Sequence, residues 1–402
     1  MKRVLIIFFS VITITCLLIL FDRFLGIIRK NTTENNISDR LVIYKTPEYE
    51  FKVQTNSQGF RGWDYPVEKS ESTIRILAIG DSFTYGWGVE LEDTWPYLLE
   101  RKLNQKKPDK KFEVINLGIG GAIVQEYAAL AEKYIPFYKP DYIMVGIVEG
   151  NDFAQITTSV DKDKKNITFE TIGKRKQLLN ELEKANYMLV KRILVNNLFF
   201  ELLPNIYNLA VKNNPIHIRI SFIENMRKHI YQLDNDDIDK LNKNMASEIR
   251  NIYMSGGLNP YLFLLSVRTP EYFINILDTD GKRYQEGIDK LTEIISEIKK
   301  IGLENNAETV VLDIPYGVFV NKSHIKSYQQ MGFDGKADIW NSDVGEKVTI
   351  NSSEKAGVEY ITSLDIFREK CTDDCFYKYD DHMTAKGYGI LSDIAMEWFA
   401  GF

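Results

Sequence analysis

Short apolar, β-branched runs alternate with amphipathic stretches along most of this chain. Ile74 to Ile79 (IRILAI) ends at Gly80 and reads as a buried parallel strand. Phe112 to Leu117, Tyr142 to Val148 and Thr309 to Ile314 repeat the pattern, and Tyr360 to Ser363 is a fifth candidate. Helical periodicity lies between them, at Trp95 to Lys106, Gln125 to Tyr138 and Ile288 to Ile301. The last of these places Ile288, Leu291, Ile294, Ile295 and Ile298 on one face. Strands separated by helices predict a parallel sheet covered on both sides. Ligands in such sheets bind beyond the carboxyl ends of the strands.

Two regions depart from this rhythm. Residues 155–285 are rich in Lys, Asn and Leu, and Leu178, Leu182, Leu189, Ile193 and Phe200 suggest long amphipathic helices. This region reads as an insertion, either a lid near the site or a helical subdomain with no part in the chemistry. The other departure is the start of the chain. Val4 to Phe21 carries no charge, follows Lys2 and Arg3, and precedes Asp22 and Arg23. Eighteen residues is the short end of a spanning helix, and Phe24 to Ile28 lengthen it if Asp22 and Arg23 snorkel. No small-residue cleavage site follows, which favours an uncleaved anchor over a cleaved signal peptide. Thr13-Ile14-Thr15 before Cys16 is a poor match to a lipoprotein signal. The expected organisation is an anchor over 1–30, a stalk and lead-in over 31–70, and one domain, carrying the insertion, over 71–402. The positive-inside rule places everything after the anchor outside the cytoplasm.

Charge narrows the partners. The whole chain has a formal net charge of −6, but its first thirty residues hold five basic groups against Asp22 alone. The remainder carries 45 positive and 55 negative side chains, a poor fit to nucleic acid or other polyanions. Three cysteines make no disulfide scaffold. Cys371 and Cys375 stand close enough to close a small loop, with two free buried thiols as the alternative. No metal site and no cofactor is expected, and His217, His229 and His324 sit in no motif.

The candidate chemistry falls at strand ends. Gly80-Asp81-Ser82 follows the first strand, where Ser at a strand-to-helix turn exposes a hydroxyl beside free N–H groups. By itself such a serine is usually an N-cap. Asn116-Leu117-Gly118-Ile119-Gly120-Gly121 follows the second strand and Gly150-Asn151-Asp152 the third. Tyr379-Asp380-Asp381-His382 precedes the final helix. Singly these are a glycine turn, a helix cap and a surface charge pair. Their order and their placement at successive strand ends argue for one site.

In that order the four blocks resemble those of the SGNH, or GDSL-type, hydrolases. GDSFTYGWGV and NLGIGG are similar to the membrane-anchored bacterial branch of that family, as is Asn56-Ser57-Gln58-Gly59-Phe60-Arg61 upstream. The resemblance spans roughly residues 55–152 and 285–400 and implies a three-layer α/β/α, flavodoxin-like fold. It also implies that Ser82 attacks an acyl carbonyl while His382 takes and returns the proton. The backbone N–H groups of Ser82 and Gly121, with the Asn151 amide, would hold the oxyanion. The acid departs from the commonest spacing, because Tyr379 stands three residues before His382. Asp380 matches the Asp-x-His variant of the anchored branch and is expected to orient the imidazole. Asp381 is expected to point away if the stretch is extended.

The resemblance leads to an extracytoplasmic, membrane-anchored serine esterase acting on an acyl ester of an envelope glycan, lipid or small molecule. The alternative is an O-acyltransferase that modifies an envelope carbohydrate beside a multi-span acyl donor. A non-catalytic binding module is disfavoured by the intact set of blocks.

Overall fold

The computed structural model describes residues 10, 13–24, 42–150, 152–153, 169–186, 215–275, 277, 279, 282–335 and 338–400. Five parallel strands form the central sheet: β3 (Thr73–Gly80), β4 (Lys111–Gly118), β5 (Tyr142–Val148), β6 (Glu308–Ile314) and β7 (Glu359–Ile361). Their spatial order is β4-β3-β5-β6-β7. Each expected strand is present, and the apolar runs are buried on both faces, as a covered parallel sheet requires.

The order reverses once, at β3. The chain steps outward to β4, then crosses back over β3 to β5 and continues to β7. Right-handed crossovers therefore put the first helix on one face and the later ones on the other. Accordingly α2 (Trp95–Lys106) packs against α13 (Ala385–Ala400). On the opposite face α9 (Lys282–Glu304) packs against α3 (Tyr127–Tyr138) and α11 (Val344–Ala356). Such a reversal opens a crevice at the carboxyl ends of β3 and β5.

Before the sheet, β1 (Val42–Lys45) and β2 (Glu50–Val53) pair as an antiparallel hairpin. Residues 31–41 of the expected stalk lie outside the described residues, but from 42 onward the lead-in is folded. Tyr49, Phe51 and Val53 form a small core with Tyr44, Tyr85, Trp87 and Tyr377.

Within the insertion, α4 (Phe169–Ala185), α5 (Pro215–Gln232), α6 (Asn235–Asn244), α7 (Ser247–Met254) and α8 (Tyr261–Arg268) are described. Leu178 and Leu182 are buried as the periodicity predicts, and with Ile230, Ile238 and Phe263 they join the main hydrophobic core. Leu189, Ile193 and Phe200 lie outside the described residues. Helix α5 also packs on β1.

At the start of the chain, residues 13–24 are helical and expose Leu17, Leu18, Leu20, Phe21 and Phe24. Much of the apolar run from Val4 lies outside the described residues. Among those described, no helix is long and apolar enough to cross a membrane. Cys371 and Cys375 form a disulfide, and Cys16 is free and exposed.

Candidate active site

Strand β3 delivers Ser82 to the crevice. Asp81 caps the short helix α1 (Ser82–Tyr85) by accepting the Phe83 N–H at 2.8 Å. Gly86 ends the helix in the left-handed conformation and donates to the Ser82 carbonyl at 3.0 Å. The second block braces this turn. A Cβ on Gly118 would sit 2.1 Å from the Tyr85 nitrogen, so only glycine lets β4 approach the helix. Asn116 spans the contact, donating to the Thr84 carbonyl at 2.9 Å and accepting the Gly118 N–H at 2.8 Å.

The last block brings an imidazole to the serine. Tyr377 N–H donates to the His382 carbonyl and Thr384 N–H to the Cys375 carbonyl. The loop after the disulfide is thereby tied back to the start of α13. His382 Nε2 lies 2.7 Å from Ser82 Oγ, and its Nδ1 lies 2.5 Å from Asp380 Oδ1. Asp380 Oδ1 is the nearer carboxylate oxygen to the ring.

Asp381 is not turned away. Its φ of 55° breaks the extended geometry in which neighbours alternate sides, and its Oδ1 lies 3.3 Å from the same Nδ1. The Tyr316 hydroxyl donates to its other oxygen. Both carboxylates thus reach the imidazole, Asp380 at the shorter distance.

The charges around the ring shift its proton affinity. Burial disfavours the imidazolium, but the Asp380 hydrogen bond and the charges of Asp380, Asp381 and Asp81 outweigh it, raising His382 to about 9. Burial raises Asp381 to about 7, with Asp81 and Glu48 adding to the effect and His382 opposing it.

Of the expected oxyanion donors, Ser82 stands at the head of α1. Gly121 is exposed on the loop after β4, with φ 80° and open space where a side chain would be. The loop is tied to β3, because Ile119 N–H donates to the Gly80 carbonyl at 3.1 Å. Asn151 lies outside the described residues. Beside it, Asp152 is buried and structural, accepting from Tyr127 Oη at 3.1 Å and from Val148 N–H at 2.8 Å. Burial, then the charge of Asp81, raises its pKa well above the ordinary carboxylate value. From the insertion, Tyr272 donates to the Gly150 carbonyl at 3.3 Å.

Several residues around the site carry no sequence signal of their role. Arg61, fully buried, donates to the Gly86 and Val89 carbonyls just beyond α1, and to the Lys52 carbonyl at 3.2 Å. The segment Asn56 to Arg61 thereby clasps the loop that follows α1. Asn56 shapes the segment by accepting the Gln58 and Phe60 N–H groups. Tyr49 donates to Asp380 Oδ2, and Glu48 accepts the Lys378 and Tyr379 N–H groups. Of the unassigned histidines, His229 and His324 lie apart from Ser82 in buried surroundings that lower their pKa, His324 to about 4.

Among the described residues, two groups of side chains have the donor types of a metal site: Asp380, Asp381 and His382, and the separate trio Glu149, Asp313 and Glu346. In the first, His382 already bridges Asp380 and Ser82. In the second, burial raises Glu149 well above the ordinary range and Asp313 to about 7.

With a serine, an imidazole and a carboxylate in line at the crevice of a parallel sheet, the comparison with known proteins is decisive. The model of the GDSL-like lipase/acylhydrolase family matches residues 76–394. The chain belongs to this family. It is an enzyme that hydrolyses ester bonds, built on an α/β fold. Similar solved structures include a lipase/acylhydrolase from Enterococcus faecalis, 12% identical, with 82% of this chain and 96% of that one covered and a TM-score of 0.38. An acetyl xylan esterase from Geobacillus stearothermophilus is 11% identical, with 81% and 93% covered and a TM-score of 0.37. An α/β hydrolase enzyme from the Lake Arreo metagenome is 10% identical, with 81% and 94% covered and a TM-score of 0.38. No curated protein matches the chain. The family match begins after the hairpin, so Tyr49 and Arg61 precede it.

Proposed function

We propose that this GDSL-like acylhydrolase is a membrane-anchored, extracytoplasmic serine esterase that works through Ser82, His382 and Asp380. The observation that carries the reading is the continuous line from Ser82 Oγ through the His382 ring to Asp380, at 2.7 and 2.5 Å. Ser82 Oγ attacks the acyl carbonyl as His382 Nε2 takes its proton. The ester C–O bond then breaks, and the imidazolium returns the proton to the departing alkoxide. Water, deprotonated by the same imidazole, cleaves the acyl-enzyme, which frees the acid and restores Ser82. Asp380 fixes the ring and offsets its transient charge. The N–H groups of Ser82 and Gly121 and the Asn151 amide hold the oxyanion.

An envelope ester is the substrate class that fits this location. The anchor is the apolar run from Val4, and the exposed Leu17, Leu18, Leu20 and Phe21 on the helix at 13–24 support it.

The test uses the full chain and an activated short-chain acyl ester. Ser82→Ala abolishes turnover, whereas Asn151→Ala retains a remnant, since one lost oxyanion donor costs about 10²–10³ in kcat. Adding a sugar acceptor leaves the products unchanged. Full activity in Ser82→Ala would refute the mechanism, and preferential acyl transfer to the sugar would refute the esterase assignment.

A further inference from the structure

Asp380 is 2% exposed, so both of its oxygens need partners from the protein. Oδ1 faces His382, and Oδ2 accepts from Tyr49, which is 6% exposed and sits at the end of the hairpin turn, outside the matched family region. The direction of that hydrogen bond is fixed. Trp87 Nε1, which can only donate, donates to Tyr49 Oη at 3.0 Å, so the tyrosine proton is left for Asp380. Trp87 belongs to the nucleophile loop, and its N–H donates to the Ser82 carbonyl at 3.0 Å. One hydroxyl therefore joins the loop that carries the nucleophile to the loop that carries the acid.

The hairpin holds the same place by two further means. Glu48 accepts the Lys378 N–H at 2.8 Å and the Tyr379 N–H at 3.1 Å, immediately before Asp380. The Tyr49 ring packs on Phe51 and Tyr377, with centroids 5.6 and 5.0 Å away.

We infer that Tyr49 is a positioning residue for catalysis: its hydroxyl holds the Asp380 carboxylate in register with His382 and ties that register to the Ser82 loop. The inference rests on the proposed triad and extends it to a hairpin upstream of the family core. Without the hydroxyl, the buried Oδ2 loses its donor and the carboxylate is free to rotate off the ring. The loss falls on kcat rather than KM, because Tyr49 acts through Asp380 and not on the substrate.

The test is a double-mutant cycle on the full chain, with Tyr49→Phe and Asp380→Asn alone and together. Tyr49→Phe should lower kcat about 10- to 100-fold with KM within about twofold, the range for losing a hydrogen bond to a charged group. In the Asp380→Asn background the same change should cost less than about twofold. Tyr44→Phe, in the same hairpin, is the packing control and should stay within about twofold of the parent. Equal losses from Tyr49→Phe in both backgrounds would overturn the inference, as would a loss that merely follows the unfolded fraction seen by circular dichroism. Failure of the triad itself reads differently, as full activity in Ser82→Ala. An inactive Ser82→Ala with an unimpaired Tyr49→Phe would sink the role of Tyr49 alone.

Discussion

Ser82 Oγ and His382 Nε2 stand 2.7 Å apart although 300 positions separate them in the chain. The sheet order explains the meeting. Ser82 follows β3, the strand at which the order reverses, and His382 sits in the loop leading into α13, which returns to pack on α2 beside it.

The two neighbouring aspartates offer the first prediction. Asp380 Oδ1 is 2.5 Å from the imidazole, while Asp381 is 3.3 Å away and takes the Tyr316 hydroxyl. Asp380→Asn should lower kcat by about 10²–10⁴-fold, because the amide no longer selects the productive tautomer. Asp381→Asn should cost about tenfold or less. Steady-state kinetics on the two variants ranks them, and the reverse ranking would reassign the acid.

Arg61 gives a prediction about stability. Its guanidinium is buried against main-chain carbonyls of the nucleophile loop and lies over the Phe51 and Tyr85 rings at 5.2 and 5.4 Å. Arg61→Ala should destabilise the fold by about 2–4 kcal/mol. Arg61→Lys keeps the charge but not the fork that reaches several carbonyls, and should recover less than half of that. Urea unfolding measures both.

Stability and activity should move in opposite directions with pH. The folded protein holds His382 at about 9 against 6.5, and Glu48, Asp381 and Asp313 at about 7 against 4.5, 3.8 and 3.8. Each group binds its proton more tightly folded than unfolded. Its stabilisation is therefore complete below the unfolded value and is lost as pH rises through 7 and then 9. His324, lowered to about 4 by burial, opposes this only between about 4 and 6.5. Between pH 6.5 and 9 the melting temperature should fall by roughly 5 °C or more. Over the same range the proposed mechanism predicts a rise in kcat/KM, because it needs His382 neutral.

Much of this was legible in the sequence because it depended on local pattern. A strand buried on both faces writes itself as an apolar run, and all five runs became sheet strands. The meeting of Ser82, His382 and Asp380 was readable because each sits at a strand end or before a helix, where few residues have chemical reach. Asp381 misled because alternation holds only in extended backbone, and its φ of 55° turns it toward the ring. Tyr49 was invisible because its partner is 331 positions away and nothing local marks the contact. Arg61 was hidden for another reason: it binds main-chain oxygens, which every residue has. The role of the hairpin follows from both, since it is defined only by what it touches.

The most direct test of the central claim is to trap the serine. The full chain is treated with a fluorophosphonate, digested, and the adduct mapped by mass spectrometry. The account predicts one stoichiometric adduct on Ser82, absent from Ser82→Ala and formed far more slowly in His382→Ala. A fully active chain without an adduct on Ser82, or one labelled at another serine with loss of activity, would contradict it.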